Sequence, residues 1–254
     1  MIAALGAILG SFFYVLILWL PRGKLVLSSL WRCSECGNKL PPSHLIPIYS
    51  QLAKTGKCPF CGAVSPRHQL LLEIVTPLLF LALGCVHPPD TLEFWQYLLL
   101  FSFLIPIFFL DLWHKIIPLA LSLPTLAAGL LLSLVRCGYG WRCFALLYLL
   151  PVVGAFALLL ILAWAWKRLF QTEGLGGGDI VLIPAVAAWF GAVHTPFVIL
   201  LSCLLGMAYY LIFIRKPEQP FVLGSFVALA AVLWALAGEA LLLVLGILPG
   251  MWLN

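Results

Sequence analysis

Eight long apolar runs dominate the chain, at about residues 2–20, 69–86, 93–110, 116–135, 143–166, 180–194, 196–214 and 221–238, most of them separated only by short Pro-, Gly- or charge-bearing loops. A run of roughly 20 apolar residues is the length of a helix that crosses a bilayer, where every backbone N–H and C=O must be satisfied within the segment. Hydrophobic residues make up 64% of the chain and charged residues 9%, against roughly 45–50% and about 25% in a soluble domain. A water-soluble fold is excluded. The expected architecture is an all-α polytopic membrane protein of about eight transmembrane helices. The formal charge of +5, spread over such a chain, reads as a topology signal rather than as a nucleic-acid patch.

The first run has no basic residue before it and meets Pro21, Arg22 and Lys24 after it, the reverse of a signal peptide's charge order. It reads as a retained helix with its N-terminus outside. The stretch that follows carries seven Lys and Arg residues and two C-x-x-C pairs. Three parts result: a first transmembrane helix (1–20), a small cytoplasmic domain (21–68), and a membrane core of about seven helices (69–254). Alternating eight spans places twelve of the 14 Lys and Arg residues inside and leaves Arg136 and Arg142 outside, as the positive-inside rule requires. The run 180–194 is short and contains Pro184; a re-entrant segment there would invert the later spans. Trp31, Trp95, Trp113 and Trp141 fall near span ends as interfacial anchors.

Cys33-x-x-Cys36 and Cys58-x-x-Cys61 stand 21 residues apart, and each pair is followed by glycine, Gly37 and Gly62. Glycine permits the tight turn that aims both sulfurs at one ion. The spacing predicts a structural four-thiolate Zn²⁺ site stapling a segment too poor in apolar residues to build its own core. Two disulfides are the competing reading, disfavoured by a cytoplasmic position. The other four cysteines, Cys85, Cys137, Cys143 and Cys203, stand singly in apolar surroundings and read as small buried hydrophobes.

Only three aspartates occur, and two of them, Asp111 and Asp179, fall at the cytoplasmic ends of predicted spans. Ionisable groups at membrane depth are costly and usually mark a functional site. Two carboxyls in one partly desolvated site do not both ionise easily, which supplies a general base and a general acid together. Asp179 follows Gly176, Gly177 and Gly178, whose missing side chains would let an extended peptide approach the carboxyl. As a phosphate loop the run fails, because no Lys-Ser or Lys-Thr follows. A helix-capping role is the bland alternative for each aspartate taken singly.

Several motifs, in order, resemble the type IV prepilin peptidases. They are Gly10-Ser11-Phe12, the two cysteine pairs, Ile46-Pro47-Ile48 with Ser50, Glu73, Asp111 followed by Ile117-Pro118, the G-x-G-D segment Gly176-Gly177-Gly178-Asp179, and Leu223-Gly224-Ser225-Phe226 in place of Phe-Gly-Pro-Phe. The resemblance implies a membrane-embedded aspartic endopeptidase with catalytic Asp111 and Asp179. It would remove basic leaders from prepilins or pseudopilins, which carry an apolar N-terminal helix, at the cytoplasmic face of the bacterial inner membrane. It also implies the zinc domain, and for many bacterial members N-methylation of the new N-terminus with S-adenosylmethionine. Tyr14, Trp19, Leu45, Leu119 and Val181 replace polar or charged residues of the family pattern. Two other readings stay open at this point: a proton- or cation-coupled transporter built on the paired acids, and an inactive assembly homologue.

Overall fold

The computed structural model describes residues 1–22, 32–33, 36–39, 41, 57–63, 67–171, 176–213 and 223–244. Ile46-Pro47-Ile48, Ser50, Leu45, Trp31 and most of the predicted 21–68 domain lie outside them, as do Gly174, Leu175 and the end of the chain. Among the described residues the structure is helical: α1 Ile2–Trp19, α2 Arg67–Val86, α3 Leu92–His114, α4 Leu119–Arg136, α5 Trp141–Phe170, α6 Gly177–Phe213 and α7 Leu223–Val244. Outside the helices, Arg32 and Lys39 form an isolated antiparallel bridge. Within α5 a π turn spans Ala145–Leu149.

Six of these helices are long and apolar enough to cross a membrane, and the apolar part of α7, Leu223–Gly238, is shorter. The two runs expected at 180–194 and 196–214 are the two helical stretches of α6, which meet at Gly191 (φ 68°, ψ −173°) rather than at residue 195. Only glycine takes that conformation without strain. Pro196 is carried inside the helix, as membrane helices allow. Large apolar side chains stand exposed along α5, among them Leu158, Leu160, Ile161, Trp164 and Leu169. Such a surface is intolerable in water and natural against lipid. This is a multi-pass membrane protein.

The chain divides between Pro106 and Ile107 into two compact units. In the first, α1 and α2 approach until no side chain fits between them. A Cβ on Gly6 would lie 2.5 Å from Pro77 Cα, and one on Gly10 2.6 Å from the Leu72 carbonyl oxygen. Lipid-embedded helices associate through such small-residue contacts and through hydrogen bonds between side chains. Here Ser11 Oγ donates to Glu73 Oε1 at 2.6 Å, and Gln69 Nε2 donates to the same oxygen at 2.8 Å, with Glu73 fully buried. Gly10→Val should therefore lower the thermal midpoint of the detergent-solubilised protein, by a cost of about 1–3 kcal/mol or more. Ile8→Val, on the exposed face of α1, should leave it in place; equal midpoints for the two variants would contradict the close α1 to α2 contact.

In the second unit α6 is the hub, with α4, α5 and α7 packed on it. Ala185, Ala187 and Ala188 of α6 and Ala228, Ala230 and Ala231 of α7 are buried, which lets backbones come close. Trp189 fills the space over Gly129, its Nε1 donating to Thr125 O at 2.8 Å, while Arg136 donates to Trp189 O at 2.8 Å. The turn after α4 corrects the reading of the single cysteines. Cys137 and Cys143 form a disulfide, their Cα atoms 5.7 Å apart, while Cys85 and Cys203 are exposed rather than buried. Tyr139 and Gly138, both at positive φ, fold the turn between cysteines six positions apart tightly enough to bring the two sulfurs together.

Candidate active site and four-cysteine cluster

Asp111 sits near the C-terminal end of α3 and is buried. The helix ends just after it: Lys115 N–H donates to Asp111 O at 2.9 Å, and Lys115 itself takes φ 54°, turning the chain out into Ile116-Ile117-Pro118. Ile117 then inserts between two glycines. A Cβ on Gly178 would collide with the Ile117 side chain and stand 2.7 Å from its carbonyl oxygen, and a Cβ on Gly224 would collide with the same side chain. Those glycines precede Asp179 and Ser225. Ile117 is thus the packing point that draws the starts of α6 and α7 to the end of α3.

The first N–H groups of a helix have no partner inside it, and α7 begins at Leu223. Ser225 N–H donates to Asp111 Oδ2 at 2.6 Å, and Ser225 Oγ lies 2.9 Å from the same oxygen and 3.1 Å from Phe108 O. Asp111 therefore caps a helix that starts more than a hundred residues later in the chain. Its carboxyl lies at the positive end of the α7 dipole.

Asp179 stands in the first turn of α6, likewise at a positive helix end. Its N–H donates to Gly176 O at 3.1 Å, and its carboxyl takes a hydrogen bond from Gly176 N–H. Its Oδ1 is buried and has no hydrogen-bond partner among the described residues. The charge of Asp111 acts on this carboxyl. Gly176 and Gly177 are exposed and bring no side chain of their own to the approach to Asp179. The arrangement brings together Asp111, Asp179 and the 176–178 glycines, and adds Ser225, which the sequence marks only as part of the segment Leu223-Gly224-Ser225-Phe226.

The other cluster lies in the first unit. The sulfurs of Cys33, Cys36, Cys58 and Cys61 all lie within 4.8 Å of one another and could hold a metal ion. Two matching turns build it. Gly37 N–H donates to Cys33 O at 3.0 Å and Gly62 N–H to Cys58 O at 2.9 Å, with both glycines at positive φ, 70° and 72°. Cys33 N–H and Cys58 N–H close the turns onto Asn38 O and Ala63 O. N–H groups of Cys61 and Phe60 donate to the Cys58 sulfur and draw its thiol down to about 7, toward the thiolate a metal requires.

With this geometry in hand, comparison with known proteins separates the readings left open by the residues. The family model described as the Bacterial Peptidase A24 N-terminal domain matches residues 4–87, and that of the type IV leader peptidase family matches residues 98–211. A prepilin leader peptidase/N-methyltransferase of Dichelobacter nodosus is 32% identical, over 86% of this chain and 74% of that protein. The chain belongs to the type IV leader peptidase family. Proteins of the same name from Aeromonas hydrophila (36% identical, 80% of this chain and 70% of that one) and Pectobacterium carotovorum (30%, 91% and 90%) agree. No solved structure matches the chain. The A24 N-terminal match contains the cysteine cluster and the Ser11, Gln69 and Glu73 contact; the leader peptidase match contains Asp111 and Asp179.

Proposed function

We propose that this chain is an aspartic endopeptidase that removes the basic leader of a type IV prepilin or pseudopilin, with Asp111 and Asp179 as its catalytic pair. The observation that carries the reading is that Ile117 packs on Gly178 and Gly224, the residues before Asp179 and Ser225, so that the Asp111 carboxyl, bonded to the start of α7, acts with its charge on Asp179 at the start of α6. One carboxylate takes a proton from water as the water oxygen attacks the scissile carbonyl, and the partner acid protonates the carbonyl oxygen. Burial of Asp111 and the side-chain-free glycines before Asp179 suit an extended peptide backbone lying across the pair. A transporter would need acids continuing across the bilayer. None of the observations favours that reading.

The charge count places the catalytic pair and the cysteine domain on the cytoplasmic side of the bacterial inner membrane, with the first residues outside. It puts Cys137 and Cys143 on the opposite side, where disulfides persist. The division of the chain into a first helix (1–20), a cytoplasmic domain (21–68) and a catalytic membrane core (69–254) belongs to the same proposal.

Zinc fits the cysteine cluster. A tetrahedron of sulfurs around Zn²⁺ with bonds near 2.3 Å has edges of about 3.8 Å. The Cys33–Cys61 and Cys36–Cys58 sulfur separations are both 3.8 Å. Four thiolates close the site, so the ion would staple the domain and take no part in hydrolysis. N-methylation of the new N-terminus with S-adenosylmethionine is the second activity in the relatives' names. Ser11 and Gln69 are bonded to the buried Glu73 where α1 meets α2, so no step of that transfer is assigned to them.

The test is direct. The purified full-length protein in detergent, incubated with a prepilin, should release a shortened product whose N-terminus is the first residue after the leader, read by mass spectrometry. A leader left intact by the wild-type protein across a panel of prepilins and pseudopilins would overturn the reading.

A further inference from the structure

Oδ2 of Asp111 takes Ser225 N–H at 2.6 Å and has Ser225 Oγ at 2.9 Å. Gly224, the residue before, has no side chain that could stand between them: a Cβ there would lie 3.1 Å from Oδ2. Ser225 is itself buried, so water does not compete for these donors. The motif this segment resembles carries proline where Ser225 stands, and proline offers neither an N–H nor a hydroxyl. Asp179 is held differently. It takes one backbone N–H, and its Oδ1 has no partner among the described residues.

We propose that Ser225 is a positioning residue for peptide hydrolysis, and that by occupying Oδ2 of Asp111 it leaves Oδ1 to receive the proton of the attacking water, making Asp111 the base and Asp179 the acid of the pair. The proposal rests on the peptidase reading above. Donors to a carboxylate oxygen bind the anion more strongly than the neutral acid, so the doubly contacted carboxyl is the one held ready to accept a proton. Among the described residues, His114 and Lys115 follow it on its own chain segment, Ile117 and Gly224 are apolar, Ser225 supplies its N–H and a hydroxyl proton shared with Phe108 O, 3.1 Å away, and Asp179 is the facing acid from α6.

The protons and bonds balance as follows. An O–H bond of water breaks, its proton passes to Asp111 Oδ1, and the water oxygen bonds to the carbonyl carbon as the carbonyl oxygen takes the proton from Asp179. On collapse one hydroxyl of the diol returns its proton to Asp179, the C–N bond breaks, and the leaving nitrogen takes the proton held by Asp111. Both carboxyls end as they began.

Two readouts on the full-length protein in detergent test this. In the first, steady-state cleavage of a prepilin, Ser225→Ala should lower kcat by about tenfold or more with KM nearly unchanged, because a hydrogen bond to a charged group is lost while the substrate's contacts stay. Ser225→Thr, which keeps the hydroxyl, should recover most of the loss. In the second, infrared difference spectra between wild type and Asp111→Asn isolate the Asp111 carboxyl band without any substrate. That band should report an ionised carboxylate, and Ser225→Ala should shift it. Ser202→Ala, whose hydroxyl bonds Ile199 O within α6, should move neither kcat nor the band.

An unchanged kcat in Ser225→Ala, an unshifted band, or a protonated Asp111 band in wild type each overturns the inference while leaving the peptidase reading intact. A wild-type protein that leaves the leader attached overturns the peptidase reading instead. The band then decides separately whether Ser225 holds Asp111. If Ser225→Ala does not fold, Ser225→Thr against wild type and the wild-type band still decide: loss of kcat in the threonine variant, or a protonated Asp111, counts against the proposal.

Discussion

Asp111→Asn is expected to leave the leader attached to its prepilin, with a fall in cleavage of at least about a thousandfold, and Asp179→Asn is expected to do the same. The substitution removes very little volume. At position 111 the amide oxygen can still accept from Ser225 N–H, so the helix cap on α7 survives and the loss is one of proton chemistry rather than of fold. Each variant deletes one of two unlike jobs that act in a single step, so the double variant should be scarcely worse than either alone. The measurement is product formation over time with the purified variants, beside thermal midpoints that confirm a folded protein. Cleavage by either variant within about tenfold of wild type would remove that residue from the reaction.

Replacing Cys33 or Cys58 by serine should act on a different property. Structural zinc contributes about 10 kcal/mol or more to the folding of small metal-stapled domains, so loss of one thiolate should empty the site and open the segment around it. Metal analysis of the purified protein should fall from about one zinc per chain to nearly none, and brief proteolysis should cut between residues 23 and 66 while α3 to α7 stay intact. Cys85→Ser changes an exposed thiol on α2 and should retain the metal. A wild-type protein without zinc, or a Cys33→Ser variant with its full complement, would remove the ion from this domain.

Much of the helical layout was legible in hydropathy alone, because in lipid an apolar run long enough to cross has almost no choice but helix. The places where pattern reading slipped are instructive. It put the interruption of α6 beside Pro196, yet the proline rides inside the helix and the break sits at Gly191, since a positive φ is what ends helical geometry there. It treated Cys137 and Cys143 as buried hydrophobes. The six-residue spacing across a turn rich in positive φ, on the side assigned outside, was the signal for a disulfide. For the site, scarcity of aspartate pointed to Asp111 and Asp179. The contact of Ser225 with Asp111 was out of reach, because half of it is a backbone N–H at a helix start and the pairing spans 114 positions.

Both carboxyls rest against the beginnings of helices, and this bears on how the protein can drift in evolution. Val181 and Leu119 occupy positions where the family pattern has charged residues, so two nearby supports are apolar in this chain. Support drawn from main-chain amides does not titrate, and of the single exchanges at the donor residue only one to proline erases it. The neighbourhood of the pair is thus free to turn greasy while its field persists, so long as α6 and α7 keep starting where they do.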